Sequence, residues 1–129
     1  MTTEQILLYV LIAGIVFYIV RKIILIKSIK HYSAQEASEK IKKERNVVLL
    51  DVRTDSERKK NLIKGSYHIP ITSISTNENE LKKFKGAEII CYCQTGNRSL
   101  NAASKLKKLG FNASNLRGGI LRWNAAGLK

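Results

Sequence analysis

The sequence predicts an α/β fold, a mainly parallel central sheet layered with helices, preceded by one long apolar helix. Three observations predict it. Val47-Val48-Leu49-Leu50 and Glu88-Ile89-Ile90-Cys91-Tyr92 are short, nearly continuous apolar runs, as expected of strands covered on both faces. Helix signals alternate with them along the chain, which is the order of a parallel layered sheet. Ahead of both, Ile6 to Val20 is an unbroken run of 15 residues that are apolar, aromatic or glycine.

That first run, taken as a helix from Thr2 to Arg21, is roughly 30 Å long, enough to cross a bilayer core. It resumes as Ile23-Ile24-Leu25-Ile26 after Arg21-Lys22. A cleaved signal peptide fits less well, because the segment before the run is Met-Thr-Thr-Glu-Gln, without basic residues, and no small-x-small site follows. A buried or interfacial helix is the third reading. Arg21, Lys22, Lys27 and Lys30 all lie on the C-terminal side. A spanning helix would therefore leave the rest of the chain in the cytoplasm. Residues 1–27 are thus expected to form a single-pass transmembrane anchor with a basic juxtamembrane segment, and 28–129 a domain.

Within the domain, Ser33-Ala34-Gln35-Glu36 has the pattern of a capping box, and Ala34, Ala37 and Ile41 give one apolar face to a helix reaching Glu44. The strand Val47–Leu50 follows, then a short polar helix from Asp55. Ile69-Pro70-Ile71 reads as a short strand or strand end. Glu78 to Phe84 reads as a brief helix, and Glu88 to Tyr92 as the next strand. Asn97 to Leu109 is helical, with Leu100, Ala103, Leu106 and Leu109 on one side and Gly110 as its stop. Phe111 to Leu116 reads as the last strand and Ile120 to Ala126 as the last helix.

The net charge is +13, and the excess belongs to the domain: only Arg21 and Lys22 of the 23 basic residues, and Glu4 of the 10 acidic ones, precede Lys27. Many lysines fall on polar helix faces, so a solvated basic surface is the plain reading, followed by attraction to anionic lipid or substrates. Aromatic residues are sparse and not interleaved with the basic ones, so no nucleic-acid partner is expected. The two cysteines, Cys91 and Cys93, are neighbours on one strand and poor disulfide partners. With His31 and His68 far apart in sequence, they give no zinc spacing, and no metal or cofactor is expected. One working thiol in a reducing compartment is the simplest account.

That thiol is Cys93. It stands where a strand should end, and Gln94-Thr95-Gly96-Asn97 separate it from Arg98-Ser99 at the start of a helix. A loop of this size can turn backbone N–H groups inward, and the helix adds its positive end, so the thiolate is favoured over the thiol. Gly96 lets the loop turn, Arg98 offers a planar, permanently charged donor group for an anion, and Ser99 is placed to cap the helix. The rival readings are a buried strand-end thiol for Cys93 and a surface arginine for Arg98. Cys91 reads as core. Asp51 and Arg53 read as scaffold groups, with Arg53 paired to Glu57. Gly118-Gly119 reads as a tight turn near the loop, Trp123 as a core anchor and His68 as structural; His31 has no assigned role.

Leu50-Asp51-Val52-Arg53, Glu57, His68-Ile69-Pro70, Cys93-x-x-Gly96-x-Arg98-Ser99 and Leu116-x-Gly118-Gly119-x-x-x-Trp123 together resemble the single-domain rhodanese (sulfurtransferase) family, in order and spacing. The resemblance covers residues 31 to 129. It implies a rhodanese-like three-layer fold and a transfer mechanism through a persulfide on Cys93. The sulfane sulfur would come from thiosulfate or a persulfide donor and pass to a thiol, cyanide or a protein acceptor. Gln94, Thr95, Gly96, Asn97, Arg98 and Ser99 would bind the anionic donor. One departure is Arg58 to Ile63, where many members carry an aromatic and then Gly-His-Ile. Ile63 and Gly65 keep the frame of that stretch.

Three other functions fit parts of this pattern. Related phosphatase-like enzymes use five residues between cysteine and arginine, one more than the four here. A non-enzymatic partner-binding module at the membrane would not need the cysteine. A dedicated protein-to-protein sulfur relay would keep it and use thiosulfate only incidentally.

Overall fold

The computed structural model describes residues 1–128. The elements run α1 (Thr3–Ser28), β1 (Lys30–Tyr32), α2 (Ala34–Lys43), β2 (Val47–Asp51), α3 (Asp55–Lys60), β3 (Tyr67–His68), α4 (Glu78–Leu81), β4 (Glu88–Tyr92), α5 (Asn97–Lys108), β5 (Asn112–Leu116) and α6 (Gly119–Ala125). The five strands form one sheet in the order β1-β5-β4-β2-β3, with every pair parallel.

Alternation along the central strands builds a layer on each side of the sheet. On one face, Leu50, Ile89, Cys91 and Cys93 pack against Leu100, Ala103 and Leu106 of α5 and Leu81 of α4. On the other, Leu49, Ile90, Tyr92 and Leu116 pack against Ala37 of α2 and Ile120 and Trp123 of α6. Both faces being covered explains why β2 and β4 read as continuous apolar runs. Each fully buried aliphatic side chain of these layers is worth about 1.5–3 kcal/mol over leaving it exposed. The two cysteines therefore share the α5 face, two residues apart.

Helices α1, α2 and α3 open with capping boxes at Thr2/Gln5, Ser33/Glu36 and Thr54/Glu57. Helix α5 starts differently, from Gly96 in the left-handed region at φ 111°. It closes beside Gly110 at φ 93°, where the Phe111 N–H folds back to the Leu106 carbonyl at 3.0 Å.

Helix α1 runs seven residues past the expected Arg21. It is long and apolar enough to cross a membrane, and none of its residues is buried. Its C-terminal end nevertheless docks on the domain. Leu25 packs on the core, the following Ile29 is buried in it, and Lys107 Nζ of α5 donates to the Ser28 carbonyl at 2.8 Å.

Strand β1 is an element the sequence did not announce, because Lys-His-Tyr has no apolar run and pairs only at the sheet edge with β5. Ile69-Pro70-Ile71, read as strand, falls just after β3. The Ile69 and Ile71 N–H groups still donate to Asp51 and Val52, but Pro70 has no N–H to give, and Ile71–Ser73 turns into a single 3-10 turn. The helix expected from Glu78 to Phe84 is α4 followed by a 3-10 turn at Lys82–Phe84. In the stretch that departs from the usual pattern, Asn61 ends α3 and Ile63 is buried beneath Tyr92. Gly65 makes the turn at φ 84°.

Candidate active site

Strand β4 stops at Tyr92, and Cys93 follows at the carboxyl edge of the sheet, where sheets of this kind place their sites. The loop from Cys93 to Gly96 is held by α6. The Ile120 and Leu121 N–H groups of α6 donate to the Cys93 and Gln94 carbonyls at 3.0 and 3.2 Å. Because a trans peptide points its N–H away from its C=O, this turns the loop's N–H groups toward the sulfur. The Gly96 N–H lies 3.0 Å from Cys93 Sγ. A Cβ on Gly119 would sit 2.4 Å from the Cys93 carbonyl oxygen, so the two loops approach as closely as glycine allows. Gly118 and Gly119 both have positive φ, and the tight turn beside the cysteine loop is present.

Cys93 is only 1% exposed, because the loop and the first turn of α5 wrap around it. Burial pushes its thiol upward. The Ser99 hydroxyl beside the sulfur and the N–H groups of Ser99, Gly96 and Thr95 outweigh that and bring it below the ordinary cysteine value. Cys91 lies one strand pitch deeper, wholly buried. Desolvation first, and the neighbouring Cys93 second, hold its thiol far above the usual range. The two thiols are thus chemically unlike although they share a face.

Ser99 does not cap α5. Gly96 holds that position, and Ser99, two residues inside the helix, turns inward. Its Oγ lies 3.3 Å from Cys93 Sγ and donates to Asn115 Oδ1 at 2.6 Å. Gln94 is half-buried, while Thr95 and Asn97 are exposed. Cys93, Gly96 and Ser99 are therefore brought together around the sulfur.

Arg98 is oriented otherwise. Both its terminal nitrogens donate to the Glu57 carboxylate, at 2.7 and 2.8 Å. The expected Arg53–Glu57 pair is not formed, because Arg53 points inward. Its Nε and Nη2 donate to the two oxygens of Asp51 at 3.0 and 2.9 Å, and Nη1 and Nη2 also reach Asn61. Arg98 takes Glu57 instead, and this fork-to-fork bond holds the Glu57 carboxyl down to about 2. Glu57 also closes the capping box of α3, so one side chain ties that helix to the cysteine loop.

Beneath the loop lies a buried polar network. Asp51 also accepts from Arg58 Nη1 and from the Tyr92 hydroxyl, each at 3.2 Å. Burial works against the Asp51 charge, but the Arg53 guanidinium and N–H more than compensate and hold its carboxyl below the usual range. Tyr92 Oη accepts the Ile63 N–H and meets Ser66 Oγ. In this way the residue before Cys93 fixes the Asn61–Ser66 turn. His68 is structural, bonded through Nε2 to the Arg53 carbonyl at 2.7 Å.

Two residues at the site had no role assigned from sequence. Asn115 lies beside Cys91 in the β4–β5 register and His31 beside Asn115 in the β1–β5 register. The signal was a polar Asn inside an otherwise buried strand, Ala113 to Leu116, where an unpaired amide is costly.

A parallel sheet that ends one strand in a thiol, wrapped by a short loop of inward N–H groups ahead of a helix, defines an α/β protein with a cysteine loop at the carboxyl edge of its sheet. The chain belongs to the rhodanese-like domain family, which matches residues 33–126. Over 95 residues it is 34% identical to YtwF of Bacillus subtilis, covering 74% of this chain and 90% of that protein. It is 29% identical over 101 residues to a sulfurtransferase of Allochromatium vinosum, covering 78% of this chain and 92% of the relative. Among solved structures, a rhodanese-related protein from Thermoplasma volcanium superposes with a TM-score of 0.70 at 30% identity, over 78% of this chain and 95% of that one.

Proposed function

We propose that the chain is a membrane-anchored sulfurtransferase that carries sulfane sulfur as a persulfide on Cys93. The observation that carries this reading is a set of loop N–H donors turned to the sulfur, with the Gly96 N–H 3.0 Å from Cys93 Sγ, in a thiol brought below its ordinary value. Such donors stabilise a thiolate and, after transfer, the negative terminal sulfur.

In the proposed cycle the Cys93 thiolate attacks the outer sulfur of thiosulfate. The S–S bond of the donor breaks, sulfite leaves with the electron pair, and Cys93 holds the persulfide anion. A thiolate or cyanide then attacks the terminal sulfur, the persulfide bond breaks, and the Cys93 thiolate returns. A persulfide donor enters the same way, leaving as its thiolate, and a protein thiol serves as acceptor. Gln94, Thr95, Gly96 and Asn97 present the loop toward the donor, and Ser99 steadies the sulfur. Arg98 lies at the mouth, where it reaches an anion by leaving Glu57. The resting site therefore meets an incoming donor with backbone N–H groups first.

Mass spectrometry of the full-length protein after donor treatment is expected to show one added sulfur on the peptide carrying Cys93. Cys91 and Cys93 fall on neighbouring positions, so fragment ions must separate them. The sulfur on Cys91, or on neither, would sink the proposal.

The domain division at 1–27 and 28–129 belongs to the same proposal, α1 being the membrane span and the basic residues after Val20 placing the domain in the cytoplasm. In sealed right-side-out vesicles the domain is expected to survive added protease until detergent is supplied. Digestion before detergent would reverse the orientation.

A further inference from the structure

Ser99 has a single proton, and the direction in which it points decides which state of Cys93 it favours. The Ile26 carbonyl at the end of α1 lies 2.8 Å from His31 Nε2. A carbonyl only accepts, so Nε2 carries the hydrogen, and in a neutral ring Nδ1 is then a bare acceptor. Asn115 Nδ2 stands 3.2 Å from that Nδ1 and donates to it. This fixes the amide the other way round toward Ser99, whose hydroxyl donates to Asn115 Oδ1 at 2.6 Å. With its proton directed there, Ser99 has only lone pairs left to offer Cys93 Sγ at 3.3 Å. Ser99 and Asn115 are 0% and 4% exposed, so no bulk water replaces these partners.

We propose that His31 and Asn115 are positioning residues for the cysteine: a neutral His31 makes Ser99 an acceptor for the thiol, and a protonated His31 makes it a donor to the thiolate. The change needs one amide rotation. Imidazolium carries hydrogen on both nitrogens, so Asn115 turns its Oδ1 to Nδ1–H and its NH₂ to Ser99 Oγ. The hydroxyl hydrogen of Ser99 then swings to the sulfur. Neutral imidazole with thiol, and imidazolium with thiolate, hold the same number of protons. The cysteine loses its proton to solvent at the mouth and the ring takes one up.

Cations surround His31 from several elements. Arg117 lines the same hollow of about 260 Å³ from the turn after β5, together with Ile26, Thr95, Asn97 and Gly118. Lys30 adjoins His31 on β1, Lys27 lies in the last turn of α1, and Lys107 reaches the Ser28 carbonyl from α5. Among the described residues, no carboxylate lines the hollow. The inference rests on Cys93 being the reactive thiol.

The test is a titration of thiolate absorbance in full-length protein in detergent, where the deeply buried Cys91 is silent. His31→Phe and Asn115→Leu each free the Ser99 proton for the sulfur. Both are expected to move the Cys93 midpoint down by about one pH unit, the scale of one hydrogen bond to a charged group. In a Ser99→Ala background, His31→Phe is expected to cause no further shift. Unchanged or raised midpoints would overturn the proposal, since loss of a nearby positive charge alone raises them. An equal downward shift without Ser99 would overturn it as well. If Asn115→Leu does not fold, His31→Phe decides alone, and long-range ¹H–¹⁵N spectra must show the Nε2–H tautomer in the wild type. Absence of any Cys93 titration would instead count against the reactive-thiol reading itself.

Discussion

Replacing Cys93 with serine is expected to reduce sulfur transfer to the uncatalysed background, a loss on the order of 10⁴-fold or more, as when other enzymes lose their nucleophile. The hydroxyl fits the same loop, so the protein should fold and melt near the wild-type temperature. It is not ionised by the donors that suffice for a thiol, and a persulfide has no oxygen counterpart. Cys91→Ala should retain transfer, because Cys91 is wholly buried and burial holds its thiol protonated. Thiocyanate release from thiosulfate and cyanide, with thermal melts alongside, measures both. Substantial turnover in Cys93→Ser would remove the basis for the mechanism.

The second large effect is on stability. Arg53 is 1% exposed and Asp51 is 0% exposed, and the two are joined by a bidentate bond. Arg53→Ala leaves Asp51 with Arg58 at 3.2 Å as its remaining cation, and also strips Asn61 of its partner. Breaking one side of a buried pair costs about 3–5 kcal/mol. That is a large share of the 5–15 kcal/mol typical of a domain. Denaturant unfolding should show it directly. The Asp51→Asn/Arg53→Met double variant should recover part of the loss, since no unpaired buried charge remains. A loss below about 1 kcal/mol for Arg53→Ala would show that the pair is not a mainstay of the fold.

The central strands and α5 were legible because burial on two faces leaves a plain mark: Val47–Leu50 and Ile89–Tyr92 can hardly be anything else. The loop after Cys93 was legible for a related reason, since a polar, glycine-containing segment has no cause to interrupt a buried run unless it turns. Strand β1 was not, because Lys30, His31 and Tyr32 are held by a neighbour 84 residues away in sequence, His31 by Asn115. Pairing of the charged residues was misread in the same way. Arg53 and Glu57 are four apart in sequence and seemed natural partners. Yet Arg53 sits at the end of a buried strand, facing Asp51, while Glu57 faces outward from α3 toward the loop. Local spacing names the charges available, and only the stacking of strand ends decides which of them meet. The role of Ser99 was misassigned because glycine in the left-handed region can begin a helix without a side-chain cap.

The joint between α1 and the domain has a mechanical meaning. A single residue, Ile29, separates the last turn of the helix from the first strand, and it is 3% exposed, with Lys107 strapping the helix end from the side. A flexible leash would let the domain wander through a hemisphere and offer its cysteine at any height. With α1 embedded as proposed, this rigid elbow permits little beyond spinning about the bilayer normal and drifting in the plane. The sulfur then travels at one fixed altitude above the lipid, and acceptors riding in the same membrane meet it by a two-dimensional search.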